Sequence, residues 1–300
     1  MSKDIAASIR ARLLNLARDR KEDFDFVLRQ FVMQRLLYRL SISGYGEQFL
    51  LKGALLFWVW NKEFHRPTMD IDLLGYGSNE TGTLLEVFKT ICKIADEDGL
   101  EFDIDSIEGV EIKEDAKYQG VRITGFAYLT KAKVRFQVDI GFGDAVTPAA
   151  EKALLPSFLG LPEPNVRIYP VYTVIAEKFQ AMVDLDITNS RIKDFYDVWI
   201  IAGQVELDGN ILAEAIKTTF ARRDTAITDE SLNIFASAFK NDENKQIQWN
   251  TFLNKNRLSS ELSFSELMEK IGAFLVPVYA ACSGADSISK SWSNSEWAWI

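Results

Sequence analysis

The sequence predicts an α+β fold, with a mixed sheet and flanking helices in the first half and a helical second half. Three patterns carry that expectation. Apolar residues recur at helical spacing over 4–20 and 24–40. Short apolar–polar alternations between turn residues mark strands from 68 to 140. From Val171 onward the periodicity is almost wholly helical.

The elements follow in order. The two N-terminal helices meet at the polar linker Arg20-Lys21-Glu22-Asp23, and Ser41 to Gly46 is a turn-rich break. Residues 49–60, a dense apolar run interrupted by Gly53, fit a short strand turning into a buried helix. Asn61 to Pro67 is a polar loop, and His65 within it is expected to carry no chemistry. Thr68 to Leu74 reads as a strand, with Met69, Ile71 and Leu73 facing the core. Residues 81–97 form a helix, and 102–110, 121–129 and 133–140 are strands. Pro148 to Pro170 is loop-rich. Helices are then expected over 173–184, 192–202, 208–221, 228–240, 247–255 and 263–280. The expected organisation is N-terminal helices (1–40), an α/β core (41–170), a helical domain (171–282) and a tail (283–300). That tail, with Trp292, Trp297 and Trp299, is either mobile or docked by its tryptophans.

Composition narrows the chemistry. Hydrophobic residues make up 47% and charged residues 26%, enough for a real core. No apolar run reaches the roughly 18 residues of a membrane span. The N-terminus lacks an apolar signal core, so a cytoplasmic location is expected. Two cysteines and one histidine leave no basis for a disulfide framework or a multi-histidine metal site. A Cys–His or Ser–His pair is poorly supported, so the chemistry falls to carboxylates, lysines and a hard cation. No G-x-x-x-x-G-K-[ST] loop is present, which disfavours an ordinary ATPase.

Net charge is −9, unevenly spread: residues 1–52 carry +4 and the remainder −13. An acidic chain is a poor general ligand for a phosphate backbone. The basic residues of the N-terminal helices (Arg10, Arg12, Arg18, Arg20, Lys21, Arg29, Arg35 and Arg39) form either a local polyanion surface or a solvated helix face.

The chemistry-bearing pattern is Met69-Asp70-Ile71-Asp72-Leu73. On a strand, Asp70 and Asp72 share one side. Over Val134 to Ile140, the same alternation puts Arg135, Gln137 and Asp139 on the polar side. Two neighbouring carboxylates repel, and at least one resists ionisation without a counter-charge. A divalent ion with oxygen ligands, Mg²⁺ or Mn²⁺, supplies it, and a third carboxylate completes a phosphoryl-transfer site. An acidic strand end at the surface gives the same pattern.

The surroundings separate these readings. Lys52-Gly53-Ala54-Leu55 precedes Arg66-Pro67-Thr68-Met69-Asp70-Ile71-Asp72-Leu73. Downstream come Val138-Asp139-Ile140-Gly141, then Glu177-Lys178-Phe179, then Arg191-Ile192-Lys193-Asp194-Phe195-Tyr196-Asp197. In this order, over about residues 35–275, the chain resembles the nucleotidyltransferase superfamily, specifically the AbiEii/AbiGii toxins of abortive-infection and toxin–antitoxin systems.

The resemblance implies a nucleotidyltransferase-like core that moves a nucleoside monophosphate from an NTP to a hydroxyl. It implies Asp70, Asp72 and Asp139 as metal ligands, with Asp139 helping to deprotonate the acceptor. It places Gly53, Ala54, Arg66 and Thr68 around nucleotide and metal loop. Lys178 either meets the triphosphate or pairs with a nearby acid. Asp194 and Asp197 either orient Lys178 and meet the acceptor, or pair with Lys193 and Arg191. Asp144 is expected to form a turn. The family usually carries Ser or Thr where this chain has Ala54, so that hydroxyl contact is missing. The implied acceptor is RNA, such as tRNA, and the implied partner is a cognate antitoxin protein. Two rival readings are a catalytically silent nucleotide- or partner-binding protein and a small-molecule, antibiotic-type nucleotidyltransferase.

Overall fold

Two 19-residue helices, α1 (Ser2–Arg20) and α2 (Phe24–Ile42), open the chain. Asp23 separates them because its side chain accepts from the backbone N–H groups of Asp25 and Phe26, capping α2. The computed structural model describes residues 2–62, 66–114, 118–228, 232–284 and 288–300. His65 lies outside the described residues. The chain divides into two compact units, 1–143 with 151–169, and 144–150 with 170–300.

The first unit is built on a seven-stranded mixed sheet. Its strands are β1 (Phe49–Lys52), β2 (Ile71–Gly75), β3 (Leu100–Glu114), β4 (Tyr118–Leu129), β5 (Ala132–Phe142), β6 (Glu151–Leu154) and β7 (Asn165–Ile168). The strand order is β3-β4-β5-β2-β1-β7-β6. β2 runs parallel to β5 and antiparallel to β1, so the middle of the sheet joins segments distant in sequence. Helix α3 (Leu55–Asn61) follows β1, and α4 (Thr81–Cys92) follows β2. α2 packs against β5 and β7.

The alternation expected for 134–140 is present: Val134, Phe136, Val138 and Ile140 are buried. Ile71 and Leu73 are buried likewise, but Met69 is 49% exposed. The strand starts three residues later than the sequence pattern predicts. Before it, the Thr68 carbonyl accepts from Gln30 Nε2 at 2.7 Å, and Thr68 rather than Met69 is buried.

Two further expectations fail in this unit. The helix expected over 81–97 stops at Cys92, and the following turn carries Asp96 and Asp98 inward. The proline-rich 148–170 segment holds two strands, β6 and β7, and β7 pairs in parallel with β1.

Arg35 and Arg39 correct the N-terminal charge reading. Both guanidinium groups are buried. Arg35 Nε donates to Asp98 Oδ2 at 3.1 Å, and its other nitrogens reach Asp96 and the Pro162 carbonyl. Arg39 donates to both Asp98 oxygens and to the Ile94 carbonyl. These two arginines therefore tie α2 to the turn after α4 and add nothing to a basic surface. Arg10, Arg12, Arg18, Arg20 and Lys21 are exposed.

The second unit is mainly helical: α5 (Val171–Leu185), α6 (Ile192–Gln204), α7 (Gly209–Arg222), α8 (Ser237–Lys240), α9 (Glu243–Asn256) and α10 (Phe264–Ser283). Its core is aromatic, with Phe179, Phe195, Phe220, Trp249 and Phe264 fully buried. The helix expected over 228–240 is not continuous. A 3-10 turn at 233–235 and the short α8 are separated by Ala236, whose backbone is extended. A three-stranded sheet joins β8 (Leu207–Asp208), β9 (Ser291–Ser293) and β10 (Ala298–Trp299). The tryptophans of this last segment are docked. Trp292 is buried and donates to the Ala202 carbonyl at 2.7 Å, and Trp299 donates to the Phe274 carbonyl at 2.8 Å. Among the described residues no helix is long and apolar enough to cross a membrane.

Burial works against ionisation of Asp98, but Arg39 and Arg35 outweigh it and hold the carboxyl below the usual range. Replacing it strands two buried cations. Asp98→Ala is expected to cost about 3–5 kcal/mol, the range for breaking a buried pair. Denaturant unfolding of variant and parent, followed by far-UV circular dichroism, measures this directly.

Candidate active site

The carboxylates meet because β2 and β5 are parallel neighbours in one register. Asp72 stands opposite Asp139, and cross-strand partners project from the same face. The row continues on both sides. Lys52 on β1 is the partner of Asp72, and Arg122 on β4 is the partner of Asp139. Four adjacent strands thus carry cation, carboxylate, carboxylate, cation across the sheet. Asp70 enters from the bend before β2, held by Thr68 Oγ1, which donates to Asp70 Oδ1 at 2.9 Å. Asp70, Asp72 and Asp139 each bring an oxygen within 4.8 Å of the others, and all three are half-buried.

Gly53 makes room for this arrangement. It joins β1 to α3 with φ +73°, in the left-handed region that favours glycine. A Cβ there would lie 2.0 Å from Asp72 Oδ2. Ala54 follows as the residue that starts α3, is buried, and supplies no side-chain cap. Arg66 lies half-buried in the loop before Thr68.

Sequence reasoning missed the strongest contact on Asp139. Arg122 Nε donates to Oδ1 and Nη2 to Oδ2, both at 2.7 Å, in a bidentate fork. Gln137 Nε2 adds a third bond to Oδ2 at 3.1 Å. The signal was within reach. A hairpin turning at Thr130 and Lys131 pairs Leu129 with Ala132, and counting back along it puts Arg122 opposite Asp139.

The remaining candidates gather in the second unit. Lys178 Nζ on α5 lies 2.8 Å from Asp194 Oδ1 and 2.7 Å from Asp197 Oδ2, both on α6. Arg191 Nε takes the other Asp194 oxygen at 2.7 Å. Both carboxylates are buried, so the spacing of three along α6 aims them together at one lysine. The buried Lys245 donates to the Asn189 carbonyl, and Asn189 Oδ1 accepts from the Arg191 N–H at 2.8 Å, fixing the turn into α6. Asp144 is an ion-pair partner rather than a turn former: its Oδ1 lies 3.1 Å from Arg223 Nη2.

A carboxylate cluster at two parallel strands of a mixed sheet, behind a glycine turn, is the arrangement expected of a nucleotidyltransferase-type centre, with oxygen donors suited to a hard divalent ion. The family model described as nucleotidyl transferase AbiEii toxin, type IV TA system, matches residues 35–270. The chain belongs to that family and is a nucleotidyltransferase. Two crystal structures from Helicobacter pylori are similar. JHP933 is 14% identical with a TM-score of 0.48, over 85% of this chain and 92% of that one. A second protein, provisionally assigned as a nucleotidyltransferase, is 14% identical with a TM-score of 0.47, over 86% and 96%. No curated protein sequence matches.

Two outcomes follow from this geometry. Gly53→Ala is expected to fold with a loss of about 1–3 kcal/mol, the cost of backbone strain in the left-handed region, and to push Asp72 out of place. Thermal melts alongside nucleotide-transfer assays should show activity falling far more than stability. For Asp194, burial opposes ionisation, yet Lys178 and Arg191 together hold its carboxyl below the usual range. A lowered folded pKa gives stability that is present above the unfolded value of about 3.9 and is lost as pH falls through the folded one. Unfolding midpoints measured from pH 7 down to pH 2 should decline through that window, and Asp194→Asn should flatten the decline.

Proposed function

We propose that the chain is a metal-dependent nucleotidyltransferase toxin that transfers a nucleoside monophosphate from an NTP to a hydroxyl of RNA. The observation that carries this reading is the convergence of Asp70, Asp72 and Asp139 oxygens within 4.8 Å on one sheet face. A bound Mg²⁺ or Mn²⁺ would neutralise the triphosphate charge and polarise the phosphoryl oxygens. Asp70 and Asp72 would hold it, with Asp139 as the third ligand.

The chain's own groups then have separate tasks. Thr68 fixes Asp70 by its hydroxyl bond, and Arg66 would steady the same loop. The turn at Gly53 and Ala54 leads into a helix start, where backbone N–H groups favour phosphate. Asp139 would accept the acceptor hydroxyl's proton as that oxygen bonds the α-phosphorus. The bond from the α-phosphorus to the bridging oxygen breaks, and pyrophosphate leaves. Lys178, paired with Asp194 and Asp197, is proposed to offset the charge of the triphosphate; this role rests on the motif order.

RNA is favoured as acceptor by the exposed cations of α1, namely Arg10, Arg12, Arg18 and Arg20, with Lys21 just after it. The family's toxin–antitoxin context implies an antitoxin that counters the activity, and a cytoplasmic setting is proposed with it.

Incubating the protein with each labelled NTP, Mg²⁺ and total RNA tests the reading. Labelled RNA is expected with the parent chain and at least about a hundredfold less with Asp70→Ala or Asp72→Ala, the scale of losing a principal electrostatic stabiliser. Label on a small cationic acceptor instead would favour the antibiotic-type reading. No label on any acceptor, with no metal-dependent NTP binding, would sink the enzyme reading.

A further inference from the structure

The Asp139 carboxylate is already heavily engaged. A carboxylate offers about four lone-pair sites. Arg122 takes one on each oxygen, and Gln137 takes a second on Oδ2. One site remains, on Oδ1, and a permanent cation sits beside it. The arginine side chain is 37% exposed and the aspartate 13%, so this is a wetted pair, not a sealed core bridge. β4 and β5 are paired along nine residue positions from Val121↔Ile140 to Leu129↔Ala132. Sheet pairing alone does not explain a bidentate fork on a carboxylate of the cluster.

We infer that Arg122 is a positioning residue that fixes the orientation of Asp139 and competes electrostatically with the divalent ion for it. The inference rests on the proposed metal-dependent reading. In the absence of the ion, the guanidinium offsets part of the repulsion among Asp70, Asp72 and Asp139, so the triad is held ready. When the ion arrives, it meets a positive charge at its third ligand, and its affinity is set lower than three carboxylates alone would give. The fork lies on the sheet face that carries the carboxylates, so a guanidinium loosened from Oδ1 stays beside the reacting groups. A lysine at this position would keep the charge and lose the fork.

The test is direct Mn²⁺ binding by the full chain, read from free Mn²⁺ in electron paramagnetic resonance and without NTP. Parent, Arg122→Gln and Arg122→Lys are compared, each beside a counterpart that also carries Asp72→Ala, so that binding at this cluster is identified. Arg122→Gln is expected to bind Mn²⁺ about tenfold more tightly, the scale of removing one like charge near a wetted site. Arg122→Lys should stay within about threefold of the parent, because charge sets affinity. Its transfer rate should nonetheless fall, because the fork that orients Asp139 is gone. Equal or weaker binding by Arg122→Gln, with the parent binding normally, overturns the competition and leaves the metal-dependent reading intact. Absence of Mn²⁺ binding in all three overturns both. Thermal melts confirm that each variant is folded.

Discussion

Three carboxylates within 4.8 Å repel one another, and much of the first unit is arranged around that repulsion. The parallel pairing of β2 and β5 sets Asp72 against Asp139, and the antiparallel strands outside them bring Lys52 and Arg122 to the flanks. The charges are distributed by register and not by chance surface composition. Gly53 has the same origin, since Asp72 occupies the space where any side chain would stand. Even Gln30, in the interior of α2, contributes by bonding the Thr68 carbonyl and so setting the bend that delivers Asp70.

The parts of this arrangement that were legible in the sequence share one property: they are encoded within a single element. Alternation over Val134 to Ile140 needs only the strand itself, and the burial follows it residue by residue. The glycine turn is likewise local, whereas Asp70 lies before β2 and its bend depends on Gln30 far back in the chain. What escaped depends on partners far away in the chain. Strands β6 and β7 are four residues each and sit among prolines, so they have too little pattern to stand out. Met69 fell outside its strand because a distant glutamine claims the backbone just before it. Arg35 and Arg39 read as surface charges, whether polyanion-binding or merely solvated, because helical periodicity cannot know that Asp96 and Asp98 wait in a turn about sixty residues on.

The second unit solves a related problem by burial. Lys178 neutralises two carboxylates that α6 would otherwise hold in apolar surroundings, and Arg191 completes the balance on Asp194. Removing Lys178 leaves two buried carboxylates with only the exposed Arg191 as a counter-charge. The order of lysine and paired aspartates in the sequence therefore has a structural use in addition to the chemistry proposed for it. The last segment of the chain belongs to this unit as well, since Trp292 and Trp299 close over α10 through Phe274.

The burial of Arg35 and Arg39 has a further consequence for ionic strength. Each cation that meets a phosphate on single-stranded nucleic acid releases counterions and adds about 0.7 to the slope of log affinity against log salt. Arginines bound to Asp98 release none. If the exposed cations Arg10, Arg12, Arg18, Arg20 and Lys21 all engaged an RNA strand, these helices would contribute a slope of about −3.5 at most. A steeper salt slope for polyanion binding than this ceiling would require cations from elsewhere in the chain.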